Sequence, residues 1–330
     1  MSIRVCIVAL PTVLGSAVCG PMDVLGTANA LAKEALFSVS VRAPGKRPIA
    51  TSYGLPLGVE RGLPRAQQHV VLVPGFGVTP GGDVVARVLS AVDAHRRVAG
   101  WLRRQCEGGA LVAGNCAGTF LVAEAGLLDA RPATTTWWLE EAFAQRYPQV
   151  HLDTSALLVQ ADNVVTAGAA MAHLDLALHL VDRFGGSELA RGCAKVLVLD
   201  RGRHSQAAYA ISGFARSQDE VVQRAAALLI EDLADGPSVA EVAKRVGVTV
   251  RTLSRRFKRA LDCTPRAYRT RHRIDRARQR LERPEEAVDA VARAVGYADS
   301  SAFYRAFKQA VGMSPRDYQR RFGLARRTPA

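Results

Sequence analysis

The sequence predicts an α/β domain, a parallel sheet flanked by helices, followed by an all-α domain built on two helix-turn-helix motifs. Three observations carry this. Short apolar runs alternate with helical patterns as far as about residue 200, as strands and crossover helices do in a parallel sheet. From Ser217 onward the periodic segments have helical spacing. Residues 238–269 and 287–319 resemble each other, so one supersecondary unit is used twice.

Ile3 to Leu10 is rich in Val and Ile, carries Arg4, and is followed by Pro11 and Gly15. It reads as a buried strand and its loop rather than as a signal peptide. Phe37 to Val41, His69 to Val73 and Ala110 to Ala113 read as further strands, buried on both faces where the run is continuous. Helical patterns cover Asp83 to Arg104, Phe120 to Leu128 and Ala169 to Phe184, the last stopped by Gly185 and Gly186. Val196 to Leu199 is expected to be one more strand. The polar, aperiodic stretch Arg201 to Gln206 then places a boundary between about 200 and 216, giving domains of 1–210 and 217–325. In the second, Val222, Ala225, Ala226, Leu229 and Leu233 form one stripe, ended by Asp235-Gly236-Pro237.

A chain of 330 residues exceeds what one core usually serves. With 48% hydrophobic and 22% charged residues it has the composition of a folded protein. The net charge is +14, and residues 219–330 hold 24 Lys and Arg against 14 Asp and Glu, a net of +10. That excess points to a polyanion bound by the C-terminal part. The six cysteines form no CxxC pair, which argues against zinc and against a disulfide framework; a reducing cytoplasm is expected. No run reaches the ~18 apolar residues of a membrane helix. His173 and His179 lie six apart and share no helix face for a metal; neither metal nor cofactor is expected.

In the first repeat Val239, Val242, Ala243 and Val246 make one helical face closed by Gly247, with Ser238 and Glu241 as a capping box. In the second, Val288, Val291, Ala292 and Val295 are closed by Gly296. A glycine there permits the positive φ that swings a second helix across the first. Thr249 and Asp299 are N-cap candidates for those second helices. Their inward anchors are Leu253 with Phe257 and Phe303 with Phe307, which turns Arg255 and Arg305 outward. Each unit ends alike, in Cys263-Thr264-Pro265 and Met313-Ser314-Pro315, with a capping hydroxyl before a first-turn proline. The first ending opens a linking helix from Pro265 to about Leu281, apolar at Tyr268, Ile274, Ala277 and Leu281 and crowded with arginines elsewhere.

These residues closely resemble the AraC/XylS family of DNA-binding domains over about residues 219 to 322. The resemblance implies a transcription regulator in which two recognition helices enter successive major grooves of duplex DNA. A linking helix of about 17 residues spans roughly 25 Å, near the ~34 Å between grooves once helix widths are added. Carried over by position, Arg251, Thr252 and Arg255 face bases from the first helix, and Ser300, Ser301 and Arg305 from the second. Arginine pairs with guanine O6 and N7, while Ser and Thr read more loosely. Thr249, Lys258, Lys308 and the linking-helix arginines are expected to meet phosphates. The alternative, a basic bundle with solvated charged faces, is disfavoured by two capped units in tandem.

Gly114-Asn115-Cys116-Ala117-Gly118 joins a strand to a helix, the turn that exposes a nucleophile, and a helix N-terminus lowers a thiol pKa. The stretch from Val112 to Trp138, with Val73-Pro74-Gly75-Phe76-Gly77 facing it, resembles the PfpI-type class I glutamine amidotransferase-like superfamily and, within it, the GlxA branch fused to AraC domains. The resemblance covers about residues 3 to 200 and implies a flavodoxin-like domain. It departs in two places: Thr136 stands where the family often has its histidine, and Ala17 where an acid is usual.

Without a base at Cys116, hydrolysis is disfavoured and no catalytic residue is expected; the rival is a thiol-dependent amidase or deglycase using Cys116. Three readings of Cys116 stay open: an inherited turn, a wall of a ligand pocket, or a redox-sensitive thiol. Gly75, Gly77, Cys116, Ala117, Thr136 and Trp137 are the pocket candidates. Besides DNA, the resemblance leaves room for a small effector, a homodimer formed through the N-terminal domain, and RNA polymerase.

Overall fold

The computed structural model describes residues 2–45, 48–78, 83–200, 203, 205–209, 219–261, 263–283 and 285–323. The chain divides into two compact units, Met1–Gln206 and Ala207–Ala330. The domain limits expected at 210, 217 and 325 lie outside the described residues.

In the first unit, β1 (Ile3–Val8), β2 (Phe37–Ala43), β3 (Glu60–Arg61), β4 (Val70–Val73), β5 (Leu111–Asn115), β6 (Leu158–Ala161) and β7 (Val164–Ala167) form one sheet. Their order is β6-β7-β5-β4-β1-β2-β3. All neighbours are parallel except the edge hairpin of β6 and β7. The apolar runs follow from the two-sided cover. Val5 and Ile7 enter one core layer with Val24, Leu25 and Leu180, whereas Cys6 and Val8 enter the other with Phe76, Leu102 and Phe120. A strand covered on both faces has no polar side.

The helices are α1 (Ser16–Ala32), α2 (Val84–Ala94), α3 (Arg96–Glu107), α4 (Gly118–Glu124), α5 (Glu140–Arg146), α6 (His173–Gly185) and α7 (Ser187–Val196). The pattern from Asp83 to Arg104 is thus two helices, capped by Asp83 and broken at His95. Helix α1 was hidden in the sequence by Gly20, Pro21 and Gly26, yet its buried residues Ala17, Val18, Pro21, Val24, Leu25 and Ala28 keep a helical stripe.

Val196 to Leu199 is not a strand. Helix α7 runs through Val196, burying Ala190, Cys193 and Ala194, and Val198 then takes a left-handed φ of 53°. Val196 and Val198 are 59% and 90% exposed. The run is apolar in composition, but the spacing of its buried neighbours is helical, and spacing decides.

The second unit holds α8 (Glu220–Glu231), α9 (Val239–Arg245), α10 (Val250–Leu261), α11 (Pro265–Leu281), α12 (Val288–Ala294), α13 (Ser300–Val311) and α14 (Pro315–Phe322). The caps are those the sequence predicts. Ser238 and Glu241 close a capping box on α9, Asp299 accepts from Ser301 and Ala302 on α13, and Thr264 and Ser314 precede first-turn prolines. Each helix-turn-helix has its own core: Val222, Leu229, Val242, Leu253 and Phe257 in one, and Ile274, Leu281, Val291, Phe303 and Phe307 in the other.

Two complete cores make independent folding of this part an expected outcome. A fragment of residues 207–330 should give a helical circular dichroism spectrum and a cooperative melt. Phe307→Ala, at a fully buried site, should lower its stability by about 3–5 kcal/mol. A fragment without cooperative melting would show that its cores need the first unit.

Candidate nucleic-acid interface and cysteine elbow

The two helix-turn-helix units turn on Gly247 and Gly296, whose φ values are 76° and 86°, a conformation that costs a β-carbon dearly. Helices α10 and α13 then present matching faces. Leu253 and Phe257 point inward, as do Phe303 and Phe307, all with no exposed surface. A residue two past an anchor sits about 200° around the helix, and there Arg255 and Arg305 are exposed.

Arg251, Lys258, Ser301 and Lys308 are exposed on the same faces, and Thr252 and Ser300 are half-buried at their edges. Thr249 is exposed and caps α10, its Oγ1 accepting the Thr252 N–H at 3.1 Å. Among the described residues no ion pair engages Arg251, Arg255 or Arg305. Arg259, exposed one position beyond Lys258, falls on the same face and was passed over in the sequence; its spacing of four from Arg255 is the signal that could have found it.

The arginines of α11 correct the expectation that they meet phosphates as a group. Arg269 donates to the Leu229 carbonyl at 3.2 Å and to the Pro237 carbonyl. Arg273 donates to the Leu233 carbonyl at 2.8 Å. Arg278 is 8% exposed and donates to Asp275 and to the Ala207 carbonyl. Arg280 pairs with Glu286 at 2.6 Å. These four close the fold, and of the six arginines from 269 to 280 only Arg271 and Arg276 remain exposed. A guanidinium offers several donors in a fixed fork, so it suits orphan carbonyls near a helix end as well as it suits phosphate.

In the first unit, Cys116 occupies the turn between β5 and α4 with a φ of 54°, the strain expected at such an elbow. Its N–H donates to the Ala167 carbonyl at 2.8 Å, and its carbonyl accepts the Thr135 hydroxyl at 2.9 Å. Gly75 lies opposite, where a β-carbon would come 3.2 Å from the Cys116 β-carbon and 3.5 Å from Sγ. Gly77, Ala117 and Thr136 are also buried, and Trp137 is half-buried in a short turn of 3₁₀-helix.

The sequence made Cys116 a poised thiol; the structure overturns that. Burial pushes its pKa up to about 12, and the opposing pull of the Ala117 N–H and of the Thr136 hydroxyl is smaller. Ala17 is buried in α1. Two polar atoms around the elbow, Asn115 Oδ1 and Thr119 Oγ1, are buried with no hydrogen-bond partner among the described residues, and Thr136 Oγ1 is buried with only the Cys116 thiol beside it. Cavities of about 390 Å³ beside Arg96, Arg103 and Arg104 and of about 230 Å³ beside Gln67 and His69 do not touch the elbow. Among the described residues no cluster of metal-ligating side chains occurs, and no helix is long and apolar enough to cross a membrane.

With the geometry in hand, comparison with known proteins is direct. A helix-turn-helix domain family matches residues 242–321, and the DJ-1/PfpI family matches residues 4–183. The HTH-type transcriptional regulator GlxA of Rhizobium meliloti is 28% identical over 311 residues, 91% of this chain and 90% of its own. The HTH-type transcriptional regulator GbdR of Pseudomonas aeruginosa is 27% identical over 219 residues, 66% of this chain and 59% of its own. The chain thus spans about three fifths of the length of the first curated relatives it matches. A ThiJ/PfpI family protein from Pseudomonas syringae superposes on 61% of this chain and 76% of its own with a TM-score of 0.51 at 19% identity, a likeness of fold.

Desolvation of Cys116 has a measurable consequence. At pH 8 a thiol with a pKa near 12 is thiolate to only about one part in ten thousand, and the thiolate is what reacts. Iodoacetamide on the native protein should therefore label the exposed Cys19 well before Cys116, with Cys116 labelling rising as pH is raised. Equal labelling at pH 8, read by peptide mass spectrometry, would show an open and activated thiol.

Proposed function

The chain belongs to the DJ-1/PfpI family and carries an AraC-type helix-turn-helix domain, and from that premise we propose that it is a sequence-specific DNA-binding transcriptional regulator working in the cytoplasm. The observation that carries the proposal is the equivalence of Arg255 and Arg305, each exposed two residues past a buried anchor in one of two capped helix-turn-helix units. Arg251, Thr252 and Arg255 on α10, with Ser300, Ser301 and Arg305 on α13, are the base-facing groups. Thr249, Lys258 and Lys308 hold phosphates, joined by Arg259, Arg271 and Arg276. The net charge of +10 in residues 219–330 supplies the long-range attraction.

The first unit serves as a sensing or oligomerising domain and not as a catalyst. Proton removal from an attacking group is worth ~10²–10⁴ in rate, and of the two groups that hydrogen-bond the Cys116 thiol, the Ala117 N–H and the Thr136 hydroxyl, neither is a base. Asn115 and Thr119 hold unsatisfied polar atoms at the elbow among the described residues, and buried polar atoms are ordinarily satisfied. They are the groups to which a small effector would hydrogen-bond, within a pocket formed from Gly75, Gly77, Cys116, Ala117, Thr136 and Trp137. Homodimerisation through this unit and contact with RNA polymerase complete the reading.

The test is binding to duplexes selected from a randomised pool by the wild-type chain, against scrambled duplexes, at several salt concentrations. Arg255→Ala or Arg305→Ala should each cost about 1–3 kcal/mol on the selected duplex and relax preference at one half of it. Arg276→Ala should weaken both duplexes alike and lower the salt slope by about one. Arg273→Ala, which leaves the Leu233 carbonyl unpaired, should instead lower the melting temperature. If Arg255→Ala and Arg305→Ala reduced selected and scrambled binding equally, α10 and α13 would not be the readers.

A further inference from the structure

The polar stretch after Asp200 is bound tightly at its end. The Arg203 guanidinium pairs with Asp175 on α6. Ser205 bridges to Ala156, and its Oγ donates to the Ser155 carbonyl at 2.7 Å. The Gln206 N–H donates to that same carbonyl at 3.0 Å. The Gln206 side chain has no exposed surface; its Nε2 donates to the Thr135 carbonyl at 2.7 Å and to the Ala156 carbonyl and Thr134 Oγ1 at 3.3 Å each.

Thr135 is also the residue whose hydroxyl holds the Cys116 carbonyl. Two hydrogen bonds through one threonine therefore join the left-handed elbow to Gln206, the last residue of the first unit. The residues that follow are anchored in the second unit: Ala207 through Arg278, Ala208 in the core of α11 and α13, Tyr209 edge-on to Phe322.

A fully buried glutamine in a polar, aperiodic segment is unusual, since Gln is mostly exposed and such segments are ordinarily solvated. Gln206 Oε1 finds no partner among the described residues, so the grip of the side chain is made by its amino group alone. Two of its three acceptors, the Thr135 carbonyl and Thr134 Oγ1, belong to the Thr134-Thr135-Thr136 phrase, which carries the residue standing beside the Cys116 thiol.

We propose that Gln206 is a latch that reports the state of the Cys116 elbow to the DNA-binding domain. An event at the elbow that shifts Thr135 withdraws the carbonyl holding Gln206, and the chain entering Ala207 is released at one of its two anchors. The role in reporting rests on the regulator reading above; the contact itself does not.

The test has two arms on the full chain. In the first, hydrogen exchange is followed over residues 203–209 in Thr135→Val, which loses the bond to Cys116 but keeps the carbonyl. Exchange there should rise by about tenfold, as for a local opening made easier; unchanged exchange overturns the latch whether or not DNA is bound. In the second, affinity for a duplex selected by the wild-type chain is measured for Gln206→Met, close in size but without the donor, with Gln206→Ala as a second variant should the first fail to fold. The latch predicts a change of more than about threefold, and no further change when Thr135→Val is added to Gln206→Met, because coupled residues are non-additive. No change, or additive changes, overturns the reporting role. A wild-type chain that selects no duplex overturns the regulator reading instead, and the exchange arm still judges the contact.

Discussion

One helix sets the geometry of the whole second unit. α11 must serve two helix-turn-helix cores: Tyr268 packs edge-on to Phe257 in the first, while Ile274, Ala277 and Leu281 enter the second. Seventeen residues fix the separation of α10 and α13. Apolar contact alone lets neighbouring helices slide, and the guanidinium forks of Arg269 and Arg273 prevent this by gripping carbonyls at Leu229, Leu233 and Pro237. These carbonyls belong to the end of α8 and the turn after it, where helix geometry leaves acceptors without internal partners. The arginine-rich composition of α11 is thus mainly architectural, and a lysine with its single compact charge would not substitute.

The elbow shows a similar contest between a general expectation and a local one. A helix N-terminus stabilises a thiolate, and the Ala117 N–H does act in that direction on Cys116. Burial opposes it, and burial dominates because the charged form has lost its water. The left-handed φ that elsewhere displays a nucleophile here holds a buried thiol, with Gly75 close against it. What the turn retains is connection, through the Thr135 hydroxyl to the Cys116 carbonyl. A strained residue held by hydrogen bonds on both sides is suited to having two states.

Much of the fold was legible in the sequence because the informative residues act locally. Ser238, Thr264, Asp299 and Ser314 cap helices within three residues of themselves, and Gly247 and Gly296 adopt the φ their turns require. The two-face burial of β1 was likewise readable from the unbroken apolar run of its last four residues, Val5 to Val8. Helix α1 was not, since Gly20 and Pro21 are locally helix-breaking and are tolerated by packing against α6 and α7. Val196 to Leu199 misled for the opposite reason, as an apolar run too short to show a period. The Leu229 and Leu233 carbonyls that hold Arg269 and Arg273 are 40 residues away in sequence, and no local pattern announces them. The same holds for Gln206, which bonds across 71 residues to Thr135.

On the proposed reading the two recognition helices cannot contribute equally, although their anchors match. The exposed face of α10 carries Arg251, Arg255, Lys258 and Arg259, whereas that of α13 carries Ser301, Arg305, Lys308 and Gln309. Affinity for DNA rises with the number of phosphates neutralised, and so does its salt dependence. Four cations against two therefore assign most of the electrostatic attraction to α10. Discrimination follows different rules, because a base edge is read by paired donors and acceptors. With Ser301 and Gln309 beside Arg305 and Lys308, α13 has as many neutral hydrogen-bonding groups as charges, where α10 has only cations, and a neutral group left unpaired over a wrong base is penalised without compensation from the phosphates. The repeat thus duplicates a scaffold while dividing the work, attraction to the first helix and selectivity to the second.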